Sequence, residues 1–154
     1  MPLVSSTLKS ALQAIFEGAA QSAKAPPQES ALAQQWASAM FSYGGPVAPP
    51  SASGAAAQAA MQSALAGFSQ ANQAATVLET AFAAFAASLA TGMTATGVFS
   101  LAKPPTGPVG FADVFGGTFD DARQAAQAIA DKVDTWMKTG TATNATSGAT
   151  IPWS

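Results

Sequence analysis

The stretch Asp131-Lys-Val-Asp-Thr-Trp136-Met-Lys-Thr-Gly140, followed by Thr141-Ala-Thr-Asn-Ala-Thr-Ser-Gly148-Ala-Thr-Ile-Pro-Trp153-Ser, decides the fold. Its first half repeats apolar residues at helical spacing and stops at a glycine. Its second half is rich in threonine and small residues, and it finishes on a tryptophan beside a proline. This pattern predicts an extended C-terminal arm over residues 141–154 that follows a helical bundle over residues 1–140.

Four further helices are predicted before that junction, at about residues 5–22, 27–42, 53–68 and 76–90. The fourth opens on the capping-box pattern Thr76-Val-Leu-Glu79 and is apolar nearly all round, which predicts a central buried helix. Residues 92–117 are rich in proline and glycine and predict a long irregular loop. The last helix is predicted to begin at Thr118 as its N-cap. The expected fold class is therefore all-α, a bundle of about five helices.

Composition limits the partners that this chain can take. Its 154 residues fit one domain, and alanine makes up about a quarter of them. Charged residues are only 9%, against about a quarter in a typical domain. Glu79 is the only charged residue between Glu29 and Lys103. The surface formed by this charge-poor segment is either covered by other subunits or by lipid, or it is exposed to water through uncharged Ser, Thr, Gln and Ala residues. A net charge of −2 gives no support for nucleic-acid binding.

The side chains that carry most enzyme chemistry are absent from the sequence. There is no cysteine and no histidine. Asp120 and Asp121 stand at a helix start, where the helix dipole explains them. Asp131 and Asp134 fit a solvated helix face, and no glycine-rich phosphate loop is present. We therefore predict a chain that is not an enzyme and has no catalytic residues, no metal and no cofactor.

Residues 80–102 are uncharged and long enough to raise the alternative of a membrane-active protein of the holin type. Ala, Ser, Thr and Gly dominate this window, and Gly92 and Gly97 interrupt it. Large aliphatic residues are too few to favour insertion. A membrane partner is therefore not the expected one.

Two groups of residues are predicted to contact a partner. Trp153 follows Thr150, Ile151 and Pro152 at the end of the arm, where docking on a neighbour is favoured over packing back onto the bundle. The alternating threonines of the arm suit addition to a partner's strand. Phe111 and Phe115 punctuate the long loop and are predicted to pin it onto the bundle or onto a neighbour.

The chain also resembles a family. The ending Trp136-Met-Lys-Thr-Gly140…Ser-Gly148…Pro-Trp153 is similar to the ends of small alanine-rich virion proteins of tailed phages. The start Leu8-Lys-Ser-Ala-Leu12, the middle Ala81-Phe-Ala-Ala-Phe and the Pro-rich segment before the last helix fit the same pattern over most of the chain. The resemblance implies a structural subunit of the virion, in the tail or baseplate or alternatively in the head or neck. It would assemble in the host cytoplasm and contact other virion proteins or copies of itself.

Overall fold

The computed structural model describes residues 3–21, 29–44, 51–65 and 74–153. The described elements follow one another as α1 Ser5–Gln21, α2 Glu29–Gly44, α3 Ser51–Leu65, α4 Ala74–Ala95, β1 Phe99–Lys103, α5 Phe111–Phe115, α6 Ala122–Met137, β2 Thr141–Asn144 and β3 Thr150–Pro152. The predicted end of the first helix at residue 22, the predicted start of the second at residue 27 and the predicted end of the third at residue 68 lie outside these ranges.

The prediction of a mainly helical chain is confirmed, but the pure all-α class is wrong. β1, β2 and β3 form an antiparallel sheet in that order. The predicted extended arm is instead β2, a turn and β3, and β2 pairs with β1 from the long loop. The threonines and small residues of residues 141–150 suit a half-buried pleated surface, and their partner is a strand of the same chain. The sheet therefore joins the two sides of the predicted boundary at residue 140.

Helix α4 contributes one whole face to the core and packs on α3, β1 and α5. One face of it is buried, consisting of Leu78, Ala81, Phe82, Phe85, Ala86, Leu89, Ala90 and Met93. The opposite face is exposed and carries only small or hydroxyl side chains, Thr80, Ala83, Ala87 and Thr91. The prediction of a central buried helix is thus confirmed for one face alone. α3 packs along α4, and α1 packs against both α2 and α6.

A row of aromatic rings crosses the core from α1 to the long loop. Phe16, Trp36, Phe82 and Phe111 succeed one another with ring centroids 6.0, 6.0 and 4.9 Å apart in edge-to-face arrangements. Such pairs contribute about 0.5–1.5 kcal/mol each beyond the area they bury. The row ends at Phe115, whose ring centroid lies 6.3 Å from that of Phe111. The loop is therefore tied into the same core as the helices.

Two helix starts differ from the sequence prediction. α4 begins at Ala74, so Thr76 is inside the helix, and the Glu79 carboxylate is bonded elsewhere. α6 is capped by Asp121, which accepts a hydrogen bond from the Gln124 N–H at 2.8 Å; the predicted cap at Thr118 is wrong. That bond, together with nearby Arg123, holds the pKa of Asp121 below its ordinary value.

A buried hydrogen bond joins α2 to α6. The Tyr43 hydroxyl donates to Asp134 Oδ1 at 2.7 Å, and Lys138 Nζ donates to Asp134 Oδ2 at 2.7 Å. Tyr43 is only 2% exposed. Burial, the hydrogen bond and the negative charge of Asp134 raise the pKa of Tyr43 well above its ordinary value. The phenol is therefore held in its neutral form.

This raised pKa predicts a loss of stability in alkali. The neutral phenol's contribution is fully present below the unfolded-state pKa of about 10, and it is lost as pH rises above that value towards the folded pKa. The free energy of unfolding should fall by up to about 1.4 kcal/mol per pH unit from this group. Urea unfolding between pH 8 and 11 measures it, and Tyr43→Phe is the reference that lacks the ionisation. Equal alkaline slopes for the two proteins would contradict the assignment.

One helix in the described part of the chain, α4, is long and apolar enough by length and composition to cross a membrane. Its large side chains Leu78, Phe82, Phe85 and Leu89 are at most 5% exposed within the bundle. The uncharged window at residues 80–102 is not one helix, because α4 ends at Ala95 and β1 begins at Phe99.

Candidate assembly surfaces

Trp153 packs against its own chain, contrary to the expectation of an external anchor. It is 1% exposed, and its backbone N–H donates to the Gly140 carbonyl at 2.9 Å. The indole lies directly over Gly140: a Cβ built there would be 2.6 Å from Trp153 Cδ2. The glycine predicted as a helix terminator therefore also makes the space that receives the ring. The physical reason for the correction is the β2–β3 hairpin, which turns the end of the chain back onto the core.

Gly140→Ala should destabilise the fold because the new methyl group would displace a fully buried ring. Overpacking of this kind costs roughly 1–3 kcal/mol. Gly18→Ala is the matched control, since it lies inside α1 with no heavy atom within 4 Å of the added Cβ. It should leave stability unchanged or raise it by about 0.5–1 kcal/mol. Thermal unfolding of both variants tests the contact, and equal midpoints would contradict it.

The two faces of the sheet differ in burial. Directly opposite residues share a face, so Ala102, Ala142 and Ile151 lie together. Ala142 in the central strand is 1% exposed, whereas Ile151 on the edge strand β3 is 47% exposed. Leu101 pairs with Thr143 on the other face, where the Thr143 and Thr150 hydroxyls are 2.9 Å apart. Leu101 is 48% exposed.

Both free edges of this sheet are poorly suited to accept another strand. On β3, the Trp153 N–H donates to the Gly140 carbonyl and the Ala149 carbonyl accepts from the Asn144 N–H. Hydrogen-bonded and non-hydrogen-bonded pairs alternate along an antiparallel ladder, so the backbone polar groups of Thr150 and Pro152 point away from β2. Pro152 has no N–H to offer at that edge. On β1, the register shifts between Phe99 and Leu101. That irregularity and the charged Lys103 are two features that protect edges. The predicted strand addition by the arm is therefore not favoured.

Glu79 fixes the long loop to α4. Its carboxylate accepts three backbone hydrogen bonds, from the N–H groups of Val109 at 2.7 Å, Gly110 at 2.7 Å and Phe111 at 2.9 Å. Gly110 has φ of 90°, the left-handed region that favours glycine. The three donors mark the start of α5, whose free N–H groups need acceptors. Glu79, the one charged residue between Glu29 and Lys103, thus makes intramolecular hydrogen bonds.

Two further contacts hold the loop to α6. Trp136 Nε1 donates to the Gly107 carbonyl at 2.9 Å, and Lys132 Nζ lies 3.1 Å from Asp113 Oδ2. Val109, Phe111 and Val114 are at most 7% exposed. These residues pin the loop onto its own bundle, one of the two outcomes predicted for its apolar residues.

From the last residue of α5 onward, the loop presents two phenylalanines to solvent. Phe115 is 47% and Phe119 is 39% exposed. Phe115 is the last residue of α5, and Phe119 lies between α5 and α6. The Gly116 N–H donates to the Ala112 carbonyl at 3.0 Å, and the Gly117 N–H donates to the Val114 carbonyl at 3.1 Å. Asp113, Asp120 and Asp121 are exposed around them. We refer to Phe115, Phe119 and these three carboxylates as the tip surface.

A second pair of exposed apolar side chains lies on β1 and on the residue before it. Val98 is 46% and Leu101 is 48% exposed, and Lys103 is exposed on the same face as Leu101. No ion pair of Lys103 occurs within the described residues. We refer to Val98, Leu101 and Lys103 as the β1 surface.

The six residues predicted to contact a partner fall into two sets. Trp153 and Phe111 are buried in their own chain, whereas Thr150, Ile151, Pro152 and Phe115 are exposed. Phe119 and Val98 are also exposed, and neither was predicted to contact a partner. Gly140 was predicted only as a helix terminator. Gly140 directly precedes β2 and Trp153 directly follows β3, so the two residues stand at the paired ends of the hairpin.

The described surface includes two open clefts. One, of about 430 Å³, is bordered by Asp131, Lys132 and Trp136. The other, of about 530 Å³, is bordered by Lys9, Arg123 and Asp131. Within the ranges that the structure covers, no group of three acidic residues is placed to hold a metal ion.

No protein-family model, curated protein or solved structure matches this chain.

Proposed function

We propose that this chain is a non-enzymatic structural subunit of a tailed-phage virion, in the tail or baseplate, that assembles through the tip surface and the β1 surface. The virion context comes from the resemblance of the C-terminal ending. The observation that supports an assembly role is the tip surface itself. Its two half-exposed phenylalanines stand on a loop that three hydrogen bonds to Glu79 hold in place.

Rigid aromatic side chains are good anchors because little conformational freedom is lost when they bind. Phe115 meets this condition, since it ends α5, whose residues Phe111 and Val114 are buried in the core. The sequence supports the proposal in a second way. No charged residue occurs between Glu29 and Glu79, so α2, apart from its first residue, and all of α3 present a surface without charge. Such a surface costs little to dehydrate against a neighbour.

Purified particles test the virion role. Mass spectrometry of virions from the phage that encodes this chain should detect it at a constant ratio to the other structural proteins. Phe115→Ser combined with Phe119→Ser should lower its incorporation, while Val4→Ser, a change at a residue 48% exposed outside both surfaces, should not. A chain found in the lysate but missing from purified particles would contradict the proposal.

Deleting the last strands is not a clean test of the same idea. Removal of residues 141–154 takes away β2, β3 and the buried Trp153 ring. A truncated chain that stays out of particles would therefore report a lost fold as readily as a lost contact. Point changes at exposed residues avoid this ambiguity.

A second candidate is a membrane-active protein of the holin type, which the length and composition of α4 favour. Crossing a bilayer would require α4 to withdraw its own buried side chains, among them Phe82 and Phe85, from the core. Carbonate extraction of membranes separates the two candidates, because a spanning helix stays with the membrane pellet. A head or neck location is the remaining variant of the first proposal, and immunogold labelling of particles distinguishes it from a tail location.

A further inference from the structure

We propose that copies of this chain associate head to tail, with the tip surface of one copy docked on the β1 surface of the next. The inference rests on the proposed function, because it names a partner for the two assembly surfaces. It is tested separately, since self-association of the purified protein requires no particle.

The two surfaces are complementary in chemistry. Each offers a pair of half-exposed apolar side chains, Phe115 and Phe119 on the tip surface and Val98 and Leu101 on the β1 surface. Among the described residues, the other large apolar side chains that are exposed, Val4 and Ile151, belong to neither surface. Burying such pairs against each other removes apolar area from water.

Their charges are opposite. The tip surface carries three carboxylates, of which Asp113 is paired with Lys132 and Asp121 with Arg123. Asp120 makes no ion pair within the described residues, and neither does Lys103. Docking the two surfaces brings the remaining carboxylate towards the remaining ammonium group. Complementary charges of this kind set orientation and partner choice more than affinity.

Their positions favour a second copy over a contact within one molecule. The tip surface is held at Glu79, near the start of α4, whereas Val98 follows the end of α4 at Ala95. The helix rises about 1.5 Å per residue, so the 16 steps from Glu79 to Ala95 span about 24 Å. Val98 therefore lies beyond one end of α4, whereas the Glu79 contacts lie near its other end, and the rest of β1 packs along the helix. A contact between different patches of identical chains produces a ring where the rotation closes and a filament where it does not.

Side-chain docking also agrees with the edges of the sheet. Strand addition at β3 is hindered by Pro152, and at β1 by the irregular register before Leu101. The exposed face of β1 remains open to a partner that offers side chains. The phenylalanines of the tip surface can contact the apolar residues of the β1 surface, and its carboxylates can contact Lys103.

Sedimentation velocity over a series of protein concentrations tests the proposal. The wild type should associate, and the association constant should fall roughly tenfold or more in two variants. One is Phe115→Ser with Phe119→Ser, and the other is Leu101→Ser with Lys103→Glu. Val4→Ser and Ile151→Ser are the controls and should associate as the wild type does. Circular dichroism should show that all of these exposed changes leave the helical content intact.

Mixing the two defective variants is the decisive experiment. Each retains the surface that the other lacks, so an equal mixture should form a one-to-one dimer and stop there. In a second cycle, Lys103→Glu should weaken association, and adding Asp120→Lys should restore it. The proposal is overturned if the wild type stays monomeric at every concentration, if the variants associate normally, or if the mixture remains monomeric. A chain that self-associates but is missing from virions would sink the proposed function and leave this inference standing.

Discussion

Replacing Trp153 with alanine should lower the free energy of unfolding by about 3–5 kcal/mol, the usual cost of removing a buried tryptophan. The ring is 1% exposed and fills the space over Gly140. The chain has 154 residues, so the unfolding midpoint should fall by roughly 6–20 °C. Denaturant unfolding followed by circular dichroism measures the effect. An external anchor would predict no loss of stability, because its ring would not be packed in the isolated chain.

Trp153→Phe is the informative companion to that change. Within the described residues, the indole Nε1 is a buried donor without a hydrogen-bond partner. A donor in that position costs about 1–3 kcal/mol. Phenylalanine removes the donor but keeps most of the ring, so its destabilisation should be clearly smaller than that of alanine. A phenylalanine variant as unstable as the alanine variant would show that the indole N–H is satisfied in solution.

Replacing Glu79 with alanine should be the second large effect, at about 2–4 kcal/mol. The change leaves the N–H groups of Val109, Gly110 and Phe111 without their acceptor. Glu79→Gln should lose less, because the remaining amide oxygen can still accept from two of the three donors. Chemical unfolding of the two variants measures the difference.

Hydrogen exchange locates that effect. The amides of Val109, Gly110 and Phe111 should exchange faster in Glu79→Ala than the global loss of stability requires, while those in the middle of α1 should follow the global change alone. Unaltered protection of the three amides would contradict the assigned role of Glu79. Tip-surface association should weaken in the same variant, since the exposed phenylalanines lose their support.

The helical part of this fold was accessible from sequence because its signals are local. Leu8, Leu12 and Ile15 repeat at helical spacing, and all three are buried in α1. The apolar spacing of residues 131–140 predicted the end of α6 in the same way, and Val133 and Trp136 are buried. Helix ends were less accessible, because Thr118 and Asp121 are both good caps and only tertiary packing selects between them.

The sheet and the tip surface could not be predicted, because both depend on contacts between distant segments. β1 and β2 are about forty residues apart, and nothing in Thr141–Asn144 names Phe99–Lys103 as its partner. Glu79 illustrates the same limit. Its spacing from Thr76 fits a capping box, but the chain brings Val109 to Phe111 within its reach instead. A local pattern was present, and a long-range contact replaced it.

The protected edges of the sheet should make this protein slow to form fibrillar aggregates in solution. Fibrillar aggregates grow by adding backbone to backbone along an open strand edge. A three-residue β3 ending in Pro152 and an irregular β1 give such growth little to start from. A chain with few charges to keep molecules apart gains from this protection, because crowding brings copies together often. Copies at high concentration then contact one another through side chains, and such contacts are reversible.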